Sequence, residues 1–202
     1  MLPIETIKEE LQSRLSQKRY RHSLGVADEA VRLALHYGAD RDKAYLAGLV
    51  HDCAKEIPTE KAIALLKEKY GMTPDCVAVK SPNVLHGPLG ACIAQSMFQI
   101  YDSEILDAIR YHTTGKANMS LLGKIIYIAD YIEPERSYPD VDKLRNLTYE
   151  DINRAILFGI DFTIENLVKK GMVIHPDTIH CRNDIVITLD RKTEERVKEH
   201  ET

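Results

Sequence analysis

Apolar residues spaced three and four positions apart constrain the fold of this chain more than any other feature. The first such stripe follows Pro3, a residue suited to the first turn of a helix, and consists of Ile4, Ile7, Leu11 and Leu15. Similar stripes recur along the chain. Only Ile-Val-Ile-Thr at positions 185–188 is β-branched enough for a strand, and its charged surroundings leave strand and helix both open. The sequence therefore predicts an all-α fold.

Helix start and stop signals predict where the helices lie. The predicted helices cover about residues 4–15, 21–37, 41–51, 59–70, 89–98, 103–112 and 120–130. Thr148 and Asp151 resemble a capping box, which predicts a further helix from there to about Lys170, ended by Gly171. A shorter helix is expected after Pro176, with the C-terminal helices ending near residue 190 and an exposed or frayed charged tail after it.

Length and charge limit the class of protein. A chain of 202 residues suits one domain with a sizeable core, so we predict a single domain over residues 1–202. The formal net charge of -4 argues against nucleic acid as a partner, because binding its backbone needs clustered Lys and Arg. A small anionic ligand needs only a few basic side chains. No apolar stretch suits a membrane span and the acidic N-terminal segment does not resemble a signal peptide, so we expect a cytoplasmic protein without a membrane partner.

A histidine and an aspartate stand next to each other where an apolar helix is expected to end. His51 and Asp52 follow Ala-Gly-Leu-Val, and successive side chains lie about 100° apart around a helix axis, so both can reach one ion near the helix end. The apolar segment would bury the pair, and buried charges are costly unless they are paired or bind a metal. The dipeptide alone leaves two interpretations equally open, a metal site or a structural His-Asp hydrogen bond.

Two further candidate ligands lie far from this pair in the sequence. His22 follows a basic segment at the start of the second predicted helix, and Asp130 ends the apolar run Ile-Ile-Tyr-Ile-Ala. The helix dipole disfavours a carboxylate at a helix C-terminus, and a bound cation would reverse that penalty. The alternative for Asp130 is a salt bridge with Lys124 or Arg136.

Five ordered segments resemble the motifs of the HD-domain superfamily of metal phosphohydrolases. They are Arg19-Tyr20-Arg21-His22-Ser23, His51-Asp52-Cys53-Ala54-Lys55, His86-Gly87, Tyr111-His112-Thr113-Thr114-Gly115 and Ala129-Asp130-Tyr131-Ile132-Glu133-Pro134-Glu135-Arg136. These core motifs cover residues 19–136 and are similar to the YqeK-type bacterial branch, which is assigned as symmetrical diadenosine tetraphosphate hydrolases. The resemblance implies a helical bundle of the HD type.

The resemblance also implies a metal site. A divalent transition metal would bind His22, His51, Asp52 and Asp130, with iron favoured and manganese or zinc compatible with the same ligand types. Two other histidines, His86 and His112, either complete a second metal site or donate hydrogen bonds to phosphate, and we prefer the phosphate role.

The implied chemistry is attack of metal-activated water on phosphorus. The residues expected to be catalytic are Asp52, as the nearest proton acceptor, with His86 and His112. The residues expected to bind phosphate or substrate are Arg19, Lys55, His86, His112, Arg136 and His175, the last because it lies in a loop after a helix stop. The basic residues have simpler alternatives: Lys55 as a solvated helix-end side chain, Arg136 as a surface ion pair, and Arg19 as an exposed side chain.

The resulting hypothesis is an enzyme that cleaves diadenosine tetraphosphate symmetrically into two ADP. Three alternatives stay open: a phosphohydrolase of mononucleotides or deoxynucleoside triphosphates, a nucleotide-binding regulator with little turnover, and a helical interaction module with structural histidines. A homodimer is compatible with the sequence, because an apolar dimer face has the same pattern as a core stripe.

Overall fold

The structure, a computed structural model, describes the backbone of residues 1–200 and the side chains of residues 1–191. Within this range the chain forms α-helices and no strand, so the predicted all-α fold is confirmed. The α-helices are α1 (Ile4–Arg14), α2 (Gln17–Tyr37), α3 (Arg41–Val50), α4 (Thr59–Ala64), α5 (Cys76–Lys80), α6 (His86–Ser96), α7 (Ser103–Tyr111), α8 (Leu121–Ile132), α9 (Val141–Glu150), α10 (Ile152–Lys169) and α11 (Pro176–His200). A π-helical turn, Leu65–Lys69, extends α4, and a 3-10 turn, Pro82–Val84, precedes α6.

Several helix ends lie where the sequence signals predict them. The carboxylates of Asp40 and Asp102 cap α3 and α7, and the hydroxyl of Ser120 caps α8, each accepting hydrogen bonds from backbone N–H groups of the first turn. Gly38 ends α2 with a φ of 73°, a left-handed conformation that glycine adopts without a steric penalty. Local capping chemistry therefore determines the ends of α2, α3, α7 and α8.

Helices α2, α3 and α8 form the centre of the molecule. Helix α2 packs along α3 and α8, α7 packs against α3, α6 and α8, and α10 packs against α8, α9 and α11. The crossing of α2 and α3 is close at Gly48, where an added Cβ would lie 2.8 Å from the Cα of Ala27. Apolar side chains at these contacts, such as Leu33, Leu49 and Ile125, are fully buried.

Two helices begin earlier than predicted. Helix α2 begins at Gln17 because the Ser16 side chain accepts a hydrogen bond from the backbone N–H of Arg19, and His22 consequently lies in its second turn. Helix α6 begins at His86 rather than Leu89, with Pro88 in its first turn, where no backbone donor is needed.

The region between α8 and α10 differs from the sequence prediction. Thr148 lies inside α9, which the sequence did not indicate, and its hydroxyl donates to the carbonyl oxygen of Leu144 at 2.8 Å. The predicted capping box is therefore wrong, and Asp151 alone caps α10. A threonine that bonds the carbonyl four residues earlier has the same sequence signature as a capping threonine.

The C-terminal segment forms one long helix. Helix α11 extends to His200, so the expected end of the helices near residue 190 is wrong, and the expected exposure of the tail concerns side chains outside the described residues. The ambiguous segment 185–188 is helical, and the side chain of Ile185 is buried against the core. Among the described helices, none combines the length and apolarity required to cross a membrane.

Candidate metal centre and its surroundings

The predicted metal ligands are delivered by different helices to one place. His22 lies in α2, His51 and Asp52 directly follow α3, and Asp130 lies in the last turn of α8. The Nε2 atom of His22 is 3.0 Å from Oδ1 of Asp130 and 3.7 Å from Oδ2 of Asp52. The Nε2 atom of His51 is 3.4 Å from Oδ2 of Asp52 and 4.0 Å from Oδ1 of Asp130. We call these four side chains, the candidate metal ligands, the metal cluster.

In both His22 and His51, the Nδ1 atom contacts an oxygen that can only accept a hydrogen bond. His51 donates from Nδ1 to the carbonyl oxygen of Gly48 at 2.7 Å, and His22 donates from Nδ1 to Oε1 of Glu133 at 3.1 Å. In the neutral imidazole, Nε2 then carries a lone pair and no proton. In a neutral ring, the 3.0 Å distance between Nε2 of His22 and Oδ1 of Asp130 brings two electron-pair donors together, whereas a protonated ring donates a hydrogen bond there.

The inward-facing atoms fit a cation. Nε2 of His22 and Nε2 of His51 are buried without a hydrogen-bond partner, an arrangement that costs about 1–3 kcal/mol for each such atom unless something satisfies it. Ligand atoms of His22, His51 and Asp130 all lie within 4.8 Å of one another. Imidazole nitrogens and carboxylate oxygens at these separations are the donor set of a divalent transition metal.

Both carboxylates of the metal cluster carry negative charge at neutral pH. Burial alone would raise the pKa of Asp52, but its contacts with His51, His112 and His86 outweigh burial and hold the pKa well below its usual range. For Asp130, burial is likewise outweighed, by His22, His51 and Arg136, and the pKa is lowered. Two carboxylates that stay ionised, buried for Asp52 and partly buried for Asp130, give the site the negative charge that attracts a divalent cation.

His86 and His112 lie on the other side of Asp52. Their Nε2 atoms are 2.8 Å apart and lie 3.1 and 3.5 Å from Oδ1 of Asp52. His112 donates from Nδ1 to the carbonyl oxygen of Ile109, so Nε2 is a ligand atom in a neutral ring and a hydrogen-bond donor in a protonated ring. Burial lowers the pKa of His86 to about 4, so its ring is neutral. His51, Asp52 and His112 form a second group of potential ligands, and the metal and phosphate interpretations of this pair both remain compatible with the geometry.

Two of the three predicted basic residues contact the metal cluster, and the third lies beside His86. Arg19 donates from Nη1 to Oδ2 of Asp52 at 2.7 Å, and Arg136 donates to Oδ1 of Asp130 at 2.5 Å and to its backbone oxygen at 2.7 Å. Lys55 places Nζ 3.5 Å from Nε2 of His86. The ion pair of Arg136 with Asp130, weighed above as an alternative to ligation, therefore exists within the cluster itself.

His175 is the predicted site residue that the structure places elsewhere. Its Nε2 lies 3.4 Å from Oδ2 of Asp75, and its Nδ1 accepts from the backbone N–H of Asp177 at 3.2 Å. It lines a cavity of about 210 Å³ together with Arg110, and no residue of the metal cluster lines that cavity. Its position after a helix end does not bring it to the cluster.

The sequence interpretation missed one buried carboxylate that acts on the site. Oε1 of Glu133 accepts a hydrogen bond from Nδ1 of His22, and its Oε2 accepts one from the backbone N–H of Glu135 at 2.7 Å. A Cβ at Gly25 would lie 2.8 Å from Oε2 of Glu133, so glycine at this position makes room for the carboxylate. The signal in the sequence was an acidic side chain one helical turn after Asp130.

A cavity of about 230 Å³ opens beside the metal cluster and was also missed. We call it the aromatic cavity, and it is lined by His112, Thr113, Asp130, Tyr131, Arg136, Tyr138, Phe162 and Thr163. Its aromatic residues come from α8, from the loop after α8 and from α10. No local sequence pattern distinguishes them from ordinary core residues.

Comparison with known proteins relates the site to a family. A family model for the HD domain matches residues 19–135. A protein of Halalkalibacterium halodurans named symmetrical bis(5'-nucleosyl)-tetraphosphatase is 42% identical over 173 residues, which cover 86% of this chain and 91% of the relative. A Bacillus subtilis protein of the same name is 41% identical over 177 residues, covering 87% of this chain and 94% of the relative.

A solved structure shows the same fold. The crystal structure of a Clostridium acetobutylicum protein, described as an HD superfamily hydrolase involved in NAD metabolism, has a TM-score of 0.91 and 46% sequence identity. The match covers 93% of this chain and 99% of that chain. Proteins with an HD domain are metal-dependent phosphohydrolases that bind divalent metals. Because the family model spans more than half of this chain and includes all four residues of the metal cluster, the chain belongs to the HD domain family.

Proposed function

We propose that this protein hydrolyses diadenosine tetraphosphate symmetrically, with two molecules of ADP as products. The observation that carries the proposal is the convergence of buried imidazole nitrogens and carboxylate oxygens beside three basic side chains. Two relatives of more than 40% identity, matched over most of both chains, are named for this activity. The protein is accordingly a hydrolase of phosphoric anhydride bonds with a small nucleotide as its substrate.

The proposed metal ligands are His22, His51, Asp52 and Asp130. Iron is our preferred ion, and manganese and zinc suit the same mixture of imidazole and carboxylate. A divalent ion held there supplies Lewis-acid activation of water near neutral pH. The support for this assignment is the pair of buried, unsatisfied Nε2 atoms of His22 and His51, which lie beside the carboxylates of Asp52 and Asp130.

The basic side chains serve the phosphate groups. A guanidinium has more N–H donors than the contacts of Arg19 and Arg136 with the carboxylates use, so donors remain for phosphate oxygens. Lys55 adds a cation beside His86. Positive groups arranged in advance stabilise the negative charge that develops during phosphoryl transfer.

The reaction balances with one water molecule. Water attacks one of the two inner phosphorus atoms, and the bond from that phosphorus to the oxygen bridging the two inner phosphates breaks. One ADP leaves with the bridging oxygen, and the attacked phosphorus becomes the terminal phosphate of the second ADP. Asp52 is our proton acceptor, and His86 and His112 bind the phosphate chain from the other side of Asp52.

The test combines metal analysis with product identification on diadenosine tetraphosphate, ATP, dATP and NAD. The last substrate is included because the similar solved structure is described as involved in NAD metabolism. We expect bound transition metal and two ADP per tetraphosphate cleaved. Preferred cleavage of dATP would show that the protein is another nucleotide phosphohydrolase. Nucleotide binding without turnover would show that it is a regulator. Metal-free protein whose stability is unchanged in His51→Ala would assign an interaction module.

Metal analysis of His86→Ala separates the two roles of the second histidine pair. The phosphate role predicts an unchanged metal-to-protein ratio with a raised KM, because the metal ligands are intact. A lower metal-to-protein ratio in His86→Ala would show instead that His86 is a ligand of a second metal ion.

A further inference from the structure

The aromatic cavity lies directly against the metal cluster and has an apolar wall that the hydrolytic chemistry does not use. Asp130 and Arg136 line this cavity together with the rings of Tyr131, Tyr138 and Phe162. A site that only had to bind phosphate would need charged and polar groups throughout. The wall therefore indicates contact with an apolar, planar part of a ligand.

Hydrogen bonds and stacking hold the rings of this wall in place. Tyr138 donates from its hydroxyl to the backbone oxygen of Tyr131 at 2.9 Å, and burial raises the pKa of Tyr138 to about 12, so this hydroxyl keeps its proton. Tyr131 shares a hydrogen bond of 2.8 Å with Thr163 and stacks on the fully buried ring of Tyr127. A wall fixed in advance loses little conformational entropy when a ligand covers it.

The outer ring of the wall is open to solvent. Phe162 lies nearly parallel to Tyr138, with 22° between the planes and 6.3 Å between the ring centres, and 45% of Phe162 is exposed. An exposed phenyl ring beside a charged site leaves apolar surface in water that a ligand ring would cover. Parallel aromatic rings with an open face are the arrangement on which nucleic-acid bases stack.

We propose that Phe162, supported by Tyr138, is the stacking surface for one purine base of the nucleotide, with the phosphate chain of that nucleotide running past Arg136 to the metal cluster. This inference rests on the proposed function, since it supposes a nucleotide ligand at the cluster. It adds specificity: Phe162 and Tyr138 select nucleotides over phosphate compounds that lack a base.

The experiment compares ligands with and without a base. Base stacking on an aromatic residue is worth about 5- to 150-fold in affinity when the residue is truncated to alanine. We therefore expect Phe162→Ala to weaken ADP binding and raise the KM for diadenosine tetraphosphate by a factor in that range. Binding of inorganic pyrophosphate should be unchanged, and Phe162→Trp should restore ADP binding.

Phe158→Ala is the matched control, because Phe158 lies one turn earlier on α10 and lines a different groove. It should leave ADP affinity unchanged. ADP affinity in Phe162→Ala equal to that of the wild type, or an equal loss for pyrophosphate, would overturn the stacking proposal. Failure of the proposed function has a different signature, in which the wild type leaves diadenosine tetraphosphate intact although the ADP-binding comparison can still be made.

Discussion

The buried carboxylate of Glu133 orients His22, a proposed metal ligand, without being a ligand itself. Its Oε1 accepts a hydrogen bond from Nδ1 of His22, which leaves Nε2 of His22 available to a metal and restricts the plane of the ring. The second oxygen is held by the backbone N–H of Glu135, so the carboxylate has little freedom. Such outer partners of metal-binding histidines contribute to metal affinity without touching the ion.

Glu133→Ala should lower metal affinity by about 10- to 100-fold, because His22 loses the acceptor that orients it. Glu133→Gln should recover most of that loss, since an amide oxygen accepts the same hydrogen bond. A metal titration monitored by unfolding temperature provides the measurement. Glu135→Ala is the control, because only the backbone of Glu135 contacts Glu133 through a hydrogen bond. Wild-type metal affinity in Glu133→Ala would refute the orienting role.

Asp52 has two roles at the residue scale, as a proposed ligand and as the proposed proton acceptor. Asp52→Asn should reduce kcat for diadenosine tetraphosphate by roughly 10²- to 10⁴-fold, because the amide accepts no proton and carries no negative charge. Steady-state kinetics on metal-loaded protein provide the measurement. Asp28→Asn, at an exposed position of α2, should leave kcat unchanged. A change in Asp52→Asn below a factor of 10 would remove the proton-acceptor assignment.

At the scale of elements, the contact between α2 and α3 sets the distance between His22 and His51. The helices lie close together at Gly48. A Cβ added there would have backbone atoms of Ala27 within 3.0 Å. Backbone cannot move aside as a flexible side chain does. A larger residue at Gly48 would therefore separate α2 from α3, and with them His22 from His51 and Asp52, which directly follow α3.

Gly48→Ala should lower the free energy of unfolding by about 1–3 kcal/mol through overpacking at the α2–α3 contact. It should also weaken metal binding, because the separation of the helices moves His22 away from His51. Urea unfolding with and without metal gives both quantities. Gly123→Ala is the control, since its nearest neighbours lie at an ordinary 3.6 Å. Equal stability of Gly48→Ala and the wild type would show that the helices shift apart at no cost.

The elements also show where sequence interpretation works. Caps at Asp40, Asp102 and Ser120 were predictable because a cap involves neighbours within three residues. Helix α9 was not predictable. Thr148 hydrogen-bonds to the carbonyl oxygen of Leu144, but in the sequence it has the same pattern as a threonine that starts a helix. A short sequence pattern predicts the local structure when only one local structure produces that pattern. The prediction is ambiguous when two local structures produce it.

At the scale of the whole molecule, the metal cluster joins helices α2, α3 and α8 through side chains that are distant in sequence. A ligand that binds only the folded state stabilises it, by about 2.7 kcal/mol at a concentration 100 times Kd. The metal should therefore stabilise the fold as well as support hydrolysis.

Removal of the metal by a chelator should lower Tm by about 5–10 °C and abolish hydrolysis, given the usual relation between free energy and Tm for a chain of this size. Adding back iron or manganese should restore both. The matched variant is His51→Ala, whose Tm should not respond to the chelator. An identical Tm of the wild type before and after chelation would contradict a metal held between helices.

The sequence by itself determined the helical class, because periodicity and capping are local properties of the chain, and its resemblance to HD-domain motifs indicated the candidate ligands and their order. It also determined which basic residues accompany the ligands, and Arg19, Lys55 and Arg136 all lie at the cluster. Only the tertiary structure decided the rest. His175 faces Asp75 instead of the cluster, Glu133 meets His22 across 111 positions, and Phe162 meets Tyr138 from a different helix. These contacts depend on how whole helices pack against one another. The residues adjacent in sequence do not indicate that packing, so local patterns could not predict the contacts.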